Sequence, residues 1–171
     1  MWSTVTIINE TNCILNVALK LATPLYYENK VMPGQSVVRK VGKVLFTLEA
    51  KLWNGENTYD EVRDIIAPLT MISSAALSGA RGLAAMASGH AAEEMKNRQV
   101  FSMGKVLLPE GVSEETQTTI KTWITDAAVR EHGYFMGTDR TIRIAGGPAA
   151  CYDEENDTQF VETVEAFTFV Y

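Results

Sequence analysis

The chain has 171 residues, of which 46% are hydrophobic and 21% are charged. This composition is typical of a folded protein and disfavours disorder, and the length fits a single domain over residues 1–171. The formal net charge of −6 argues against nucleic acid as a partner, because phosphate backbones are bound by basic surfaces.

The N-terminal third alternates apolar and polar residues, which predicts strands with one buried face at residues 4–9, 14–21 and 44–53. The side chains predicted to face the core in the last two are Leu15, Val17, Leu19, Leu21, Val44, Phe46, Leu48, Ala50 and Leu52. Asn16, Ala18 and Glu49 would point to the other side. Between these strands, Pro33-Gly34 predicts a type II turn, because Pro fixes the first φ and Gly permits a positive second φ.

The middle of the chain predicts two to three helices, at about residues 59–97 and 114–132. Residues 58–61 have the spacing of a capping box, which favours a helix start there. Ser113 is a good N-cap for the second helix, and Gly133 would end it.

The segment 65–97 is rich in small residues, and Arg81 is the only charge between residues 65 and 92. On a helical wheel over residues 68–95, His90 falls on the apolar side and Arg81 on a side of hydroxyls. This pattern favours a packed central helix. The alternative is a membrane-active or self-assembling segment. A transmembrane span is disfavoured because Arg81 and the hydroxyls interrupt it, and an interfacial helix usually carries more Lys and Arg.

Strands return at residues 101–108, 134–136, 141–145 and 163–171, and residues 152–158 predict an acidic loop. The predicted fold class is therefore α+β, with β-sandwich-like antiparallel sheets formed by N- and C-terminal strands and the helices inserted between them. In general shape only, the short strands and the Pro-Gly turn resemble the β-sandwich cytolysins and lectins. That resemblance implies a lectin-like or toxin-like role by analogy.

Catalytic and metal-binding motifs are not apparent, so no catalytic residue, metal or cofactor is predicted. Cys13 and Cys151 lack the spacing of a zinc site, so they are either two buried thiols or one disulfide bridge. A remaining alternative is a small enzyme with a site near His90 or His132. Both histidines also have a structural explanation: His90 can be a hydrogen-bonded core residue, and the cation of His132 would be stabilised by the dipole at a helix C-terminus.

The group predicted to face a ligand is Tyr26, Tyr27, Glu28 and Asn29, since adjacent tyrosines in a loop suit recognition. Trp53 is a further candidate. The leading hypothesis is a non-enzymatic soluble binding protein whose loops recognise a small molecule, a glycan or a protein partner. A membrane ranks below these partners, and formation of a homo-oligomer is left open. No secretion signal is recognisable, which predicts a cytoplasmic location.

Overall fold

The computed structural model describes residues 2–60 and 100–171, which form twelve strands and one helix. The strands are β1 Trp2–Asn9, β2 Leu15–Lys20, β3 Pro24–Val31, β4 Ser36–Gly42, β5 Leu45–Leu52, β6 Val100–Met103, β7 Val106–Pro109, β8 Val129–Phe135, β9 Arg140–Gly146, β10 Ala150–Asp153, β11 Thr158–Val161 and β12 Phe167–Val170. The helix α1 is Glu114–Thr125. Among the described residues, no helix is long and apolar enough to cross a bilayer.

The strands form three four-stranded sheets. The first sheet has the order β12-β9-β1-β4, the second β3-β2-β5-β8 and the third β10-β11-β7-β6. Pairing is antiparallel except between β1 and β9 and between β7 and β11. Strands hold 54% of the described residues and helix only 9%, so the predicted α+β class with two to three inserted helices is wrong. The described part of the chain is mainly β.

The first and second sheets pack face to face in a sandwich-like arrangement. A single buried cluster contains Val5 and Ile142 from the first sheet and Leu19 and Leu48 from the second. Alternation along each strand places these residues on the inner faces. Helix α1 adds Trp123 to the cluster, with its ring edge-on to that of Phe167 at 4.9 Å.

The predicted helix over residues 114–132 begins as expected but ends early. Ser113 caps it, because its hydroxyl accepts the Thr116 N–H at 3.2 Å. The chain then forms β8, which pairs with β5, and Gly133 lies where the register between these strands shifts. Burial of Tyr134 against the core outweighs the local helical pattern, so Gly133 serves a bulged strand and not a helix end.

The buried faces of β2 and β5 are confirmed except at their ends. Leu21 and Val44 are exposed, because both lie in connections beyond the strands. Asn16, Ala18 and Glu49 are buried although predicted on the other face, because Asn57 and Tyr59 bond to that face of the second sheet. The β3–β4 turn is of the predicted kind: Gly34 has φ +78°, and Gln35 N–H donates to Met32 C=O at 3.0 Å.

Two further expectations change in detail. Residues 101–108 form a hairpin of β6 and β7 and not one strand, and residues 152–158 belong to the hairpin of β10 and β11. Of the helix predicted over residues 59–97, only residues 59 and 60 are described, and they are not helical. The remainder lies outside the described residues. The single domain over residues 1–171 stays a prediction.

Candidate functional site

Four chain segments meet at one end of the second sheet, where the third sheet joins it. Lys30 comes from β3, Trp53 follows β5, Lys105 turns between β6 and β7, and Tyr152 and Asp157 belong to the hairpin of β10 and β11. We call these five residues the two-lysine cluster and this part of the molecule the charged end. Cross-sheet hydrogen bonds fix it, including one from the buried Gln159 side chain to Trp53 C=O at 3.0 Å.

The centre of the two-lysine cluster is the carboxylate of Asp157. It accepts hydrogen bonds from the ammonium groups of Lys105, at 2.8 Å, and Lys30, and from the hydroxyl of Tyr152. The bonds from Lys105 and Lys30 hold the pKa of Asp157 well below its usual range, and the bond to Asp157 raises the pKa of Lys30. Within the cluster, two cations therefore face one carboxylate at neutral pH, while Asp153, Glu154 and Glu155 precede Asp157 in the same hairpin.

An aromatic floor lies under the two cations. The Trp53 side chain is buried, with Lys30 Nζ 4.9 Å and Lys105 Nζ 5.7 Å from its ring centroid. The Tyr152 ring stands edge-on to Trp53 at 6.3 Å. Such cation–π contacts orient the ammonium groups, while the lysine side chains stay 39% and 42% exposed. Both cations are thus held in place and open to solvent.

The backbone at the two-lysine cluster is unusual. Within residues 2–60 and 100–171, Lys30 (φ +57°) and Asp157 (φ +51°) are the non-glycine residues with positive φ, and they pair with each other. This conformation costs an L-residue about 1–2 kcal/mol. At Lys30 it is supported by the buried Asn16 side chain, whose Oδ1 accepts the Lys30 N–H at 2.9 Å. Strain of this kind is concentrated at functional sites.

Gly55 allows Lys105 to reach this position. A Cβ on Gly55 would lie 2.5 Å from Lys105 Cδ, so any side chain there would displace the lysine stem. Gly55 also has φ +86°, which glycine adopts without steric cost. The two-lysine cluster therefore depends on a glycine immediately after the Trp53-Asn54 pair.

The predicted ligand group lies in strand β3 and not in a loop. Tyr26 packs edge-on to Phe46 at 6.0 Å, Tyr27 lies 6.3 Å from the Tyr59 ring, and Glu28 pairs with Arg39. The Asn29 side chain bonds Tyr59 N–H at 2.8 Å and Tyr59 C=O at 3.0 Å. The ligand role of these four residues stays a prediction. Trp53 is brought into the charged end.

The other sequence candidates are separate from this cluster. Arg81, His90 and the whole predicted helix 68–95 lie outside the described residues. His132 is exposed, with Nδ1 3.1 Å from the Thr47 hydroxyl. The described residues contain no group of three or more His, Cys, Asp or Glu placed to hold a metal ion.

Both cysteines are free thiols, so the predicted alternative of a bridge is wrong. Burial raises the pKa of Cys13 to about 12, and burial also raises the pKa of Cys151. Each is therefore protonated at neutral pH, the unreactive form of a cysteine.

Glu49 is a buried charge that the sequence pattern did not reveal. Its carboxylate accepts from the Tyr59 hydroxyl at 2.8 Å, Arg130 Nε at 2.9 Å and Lys20 Nζ at 3.3 Å. Burial alone would raise the pKa of Glu49, but the bonds from Tyr59 and Arg130 lower it below its ordinary value. Alternation placed Glu49 on the polar face of β5, and the sequence carries no signal that Tyr59 would cover that face.

The two lysines and Asp157 were missed for a related reason. Lys30 and Asp157 are 127 positions apart and belong to no motif. The sequence features that could have indicated this cluster were Trp53 itself and the turn-forming residues that follow it. Comparison of the chain with protein-family models, with curated proteins and with solved structures gives no match.

Proposed function

We propose that this chain is a non-enzymatic binding protein that recognises the anionic group of a small molecule or glycan at the two-lysine cluster. One observation carries the proposal: two open ammonium groups share a single carboxylate above a buried indole, on a backbone strained at Lys30 and Asp157. The proposal keeps the leading hypothesis from the sequence, a binding protein, and adds that the ligand carries an anionic group.

The donors available at the cluster suit an oxyanion. Each ammonium has three N–H donors, and Asp157 accepts one bond from each lysine. Lys30 also interacts with the Tyr152 hydroxyl, and the donors that then remain on Lys30 and Lys105 suit the oxygens of a carboxylate, sulfate or phosphate. Charge-assisted bonds of this type are stronger than neutral ones. Asp157 competes with the incoming anion for the same two cations, so removing its charge strengthens binding.

The test is titration of the protein with inorganic sulfate, inorganic phosphate and glucuronate, with glucose as the neutral control, followed by NMR chemical-shift changes. We expect dissociation constants of about 1 mM, the range of a few solvent-exposed contacts. Asp157→Asn keeps a residue type that tolerates positive φ, and it should bind the anions about tenfold more tightly. Changing Lys30 and Lys105 together to Gln should abolish binding.

Lys121→Gln is the matched control, because Lys121 is an exposed lysine on helix α1. It should bind each anion as the unmodified chain does. The proposal fails if neither the unmodified chain nor Asp157→Asn binds any of the three anions. It also fails if Asp157→Asn weakens binding, since the carboxylate would then be part of the site and not a competitor.

A further inference from the structure

The end of the sandwich opposite the two-lysine cluster exposes large apolar side chains. The connections β2–β3, β4–β5 and β8–β9 meet there with the start of β1, because Trp2 pairs with Gly42, Leu45 with Phe135, and Lys20 with both Pro24 and Thr47. The exposed side chains at this end are Trp2 (68%), Leu21 (49%), Leu25 (48%), Val44 (39%), Leu45 (60%) and Phe135 (51%). We call this part of the molecule the apolar end.

These residues are not needed to fill the core. Phe46 and Tyr134, the neighbours of Leu45 and Phe135 along their strands, supply the buried side chains at this level. The apolar end holds six of the eleven large hydrophobic residues that are exposed in the described part of the chain. Such a concentration of exposed apolar groups marks an interaction surface.

The charges at the apolar end are mainly positive. Lys40, Lys43 and Arg140 are exposed, and none of them forms an ion pair with a described residue. Arg140 lies over the Tyr134 ring at 5.4 Å. The acid beside them, Asp139, accepts the Thr4 N–H at 2.7 Å. A second acid, Glu131, accepts a hydrogen bond from the hydroxyl of Tyr171, whose ring stacks on that of Tyr134. Three cations therefore accompany two acids here, although the whole chain carries a net charge of −6.

We propose that the apolar end docks on the surface of a lipid bilayer that contains anionic phospholipids. Trp2, Leu45 and Phe135 enter the boundary between headgroups and acyl chains, while Lys43 and Arg140 contact lipid phosphates. Tryptophan favours this boundary, and cations beside a membrane are attracted to anionic headgroups. The proposal uses neither the residues of the two-lysine cluster nor any of residues 68–95.

The test is co-sedimentation with vesicles of phosphatidylcholine, with and without phosphatidylserine. The unmodified chain should bind the vesicles that contain phosphatidylserine. Changing Trp2, Leu45 and Phe135 together to Ser should lower the partition coefficient by about 100-fold, because three apolar side chains no longer leave water. Changing Lys43 and Arg140 together to Gln should lower it by about 25-fold, which corresponds to about fivefold per cation.

Val38 and Phe101 provide the matched control, because both are exposed apolar residues away from this end. Changing them together to Ser should leave vesicle binding unchanged. Absence of binding to either vesicle overturns the proposal. It is also overturned if sedimentation velocity shows a dimer that the Trp2, Leu45 and Phe135 variant abolishes, since a second copy would then cover this surface.

Discussion

The charged end and the apolar end of the sandwich are both built from strand connections, but their side chains differ: they bond to one another at the charged end and project into solvent at the apolar end. At the charged end, Lys30 and Lys105 both donate to Asp157 across long sequence separations. At the apolar end, Trp2 and Leu45 project outward and are more than half exposed. The first arrangement holds its charged groups in fixed positions, whereas the second exposes apolar area to solvent.

The difference follows from what surrounds each end. The third sheet packs beside the charged end and ties its loops down, for example through the Lys105 N–H bond to Asn54 C=O at 3.3 Å. Polar groups that are partly buried in this way need partners, because an unsatisfied one costs free energy. Exposed apolar groups at a strand end lack such a requirement, so they are retained at little cost to folding.

The largest expected contrast is between two tryptophans. Trp53 is 3% exposed and Trp2 is 68% exposed. Trp53→Ala should lower the free energy of unfolding by about 3–5 kcal/mol, because it leaves a cavity under the lysines. Trp2→Ala should change it by less than about 0.5 kcal/mol. Urea unfolding followed by far-UV circular dichroism measures both, and equal losses would contradict the distinction between the ends.

Glu49 lies on the covered face of the second sheet, between the two ends. Glu49→Ala should cost about 3 kcal/mol, because it leaves Arg130 and the Tyr59 hydroxyl without their common acceptor. Tyr59→Phe removes the hydrogen bond from the Tyr59 hydroxyl to Glu49 and should cost about 1 kcal/mol. Urea unfolding of both variants is the measurement, and an equal cost for the two would show that Glu49 is not the shared centre.

Alanine substitutions at two glycines, Gly55 and Gly34, distinguish the effect of backbone strain from the effect of displacing the Lys105 side chain. Gly55 and Gly34 both have positive φ, but only at Gly55 would a Cβ meet Lys105. Gly55→Ala and Gly34→Ala should each cost about 1–2 kcal/mol in unfolding experiments. Only Gly55→Ala should also weaken sulfate binding. If both variants bind sulfate as the unmodified chain does, the position of Lys105 is not required.

The smallest expected effect is the pH dependence of the Asp157 pair. The pKa of Asp157 is lowered on folding, so the pair contributes fully above the ordinary aspartate pKa of about 3.9 and loses its contribution as pH falls toward the lower folded value. The pair is about one third exposed, which limits the loss to about 1 kcal/mol.

Unfolding of the unmodified chain and Asp157→Asn, compared from about pH 6 to about pH 2, measures this loss. The unmodified chain should lose more stability across that range than the variant. Parallel pH profiles would show that the Asp157 carboxylate does not stabilise the charged end.

Local pattern predicted β1, β2 and β5, in which core-facing apolar residues recur at every second position. The Pro33-Gly34 turn and the Ser113 cap depend only on their own neighbours. The end of β8 was predicted as a strand at residues 134–136, but its first residues, 129–132, were assigned to a helix, because its partner, β5, lies about 80 positions earlier. Pairing with a distant strand cannot be read from a local window.

The candidate site shows the same division. Trp53 was singled out from the sequence, but its burial and its contact with Lys30 were not. Tyr26 and Tyr27 were expected in a loop, but both lie in strand β3. The Tyr26 ring packs against the core, and the Tyr27 ring lies beside that of Tyr59. Residue type alone indicated Trp53 as a candidate, whereas the charged side chains that surround it depend on how the third sheet packs.

The alternating strands, the turn at Pro33-Gly34, the cap at Ser113 and the acidic net charge follow from the sequence alone, because each depends on neighbouring residues or on composition. The mainly β character of the described chain, the burial of Glu49 and the contact between Lys30 and Asp157 follow from tertiary packing. These outcomes require strands far apart in sequence to pair, and pairing is selected by burial of the whole core and not by any single segment.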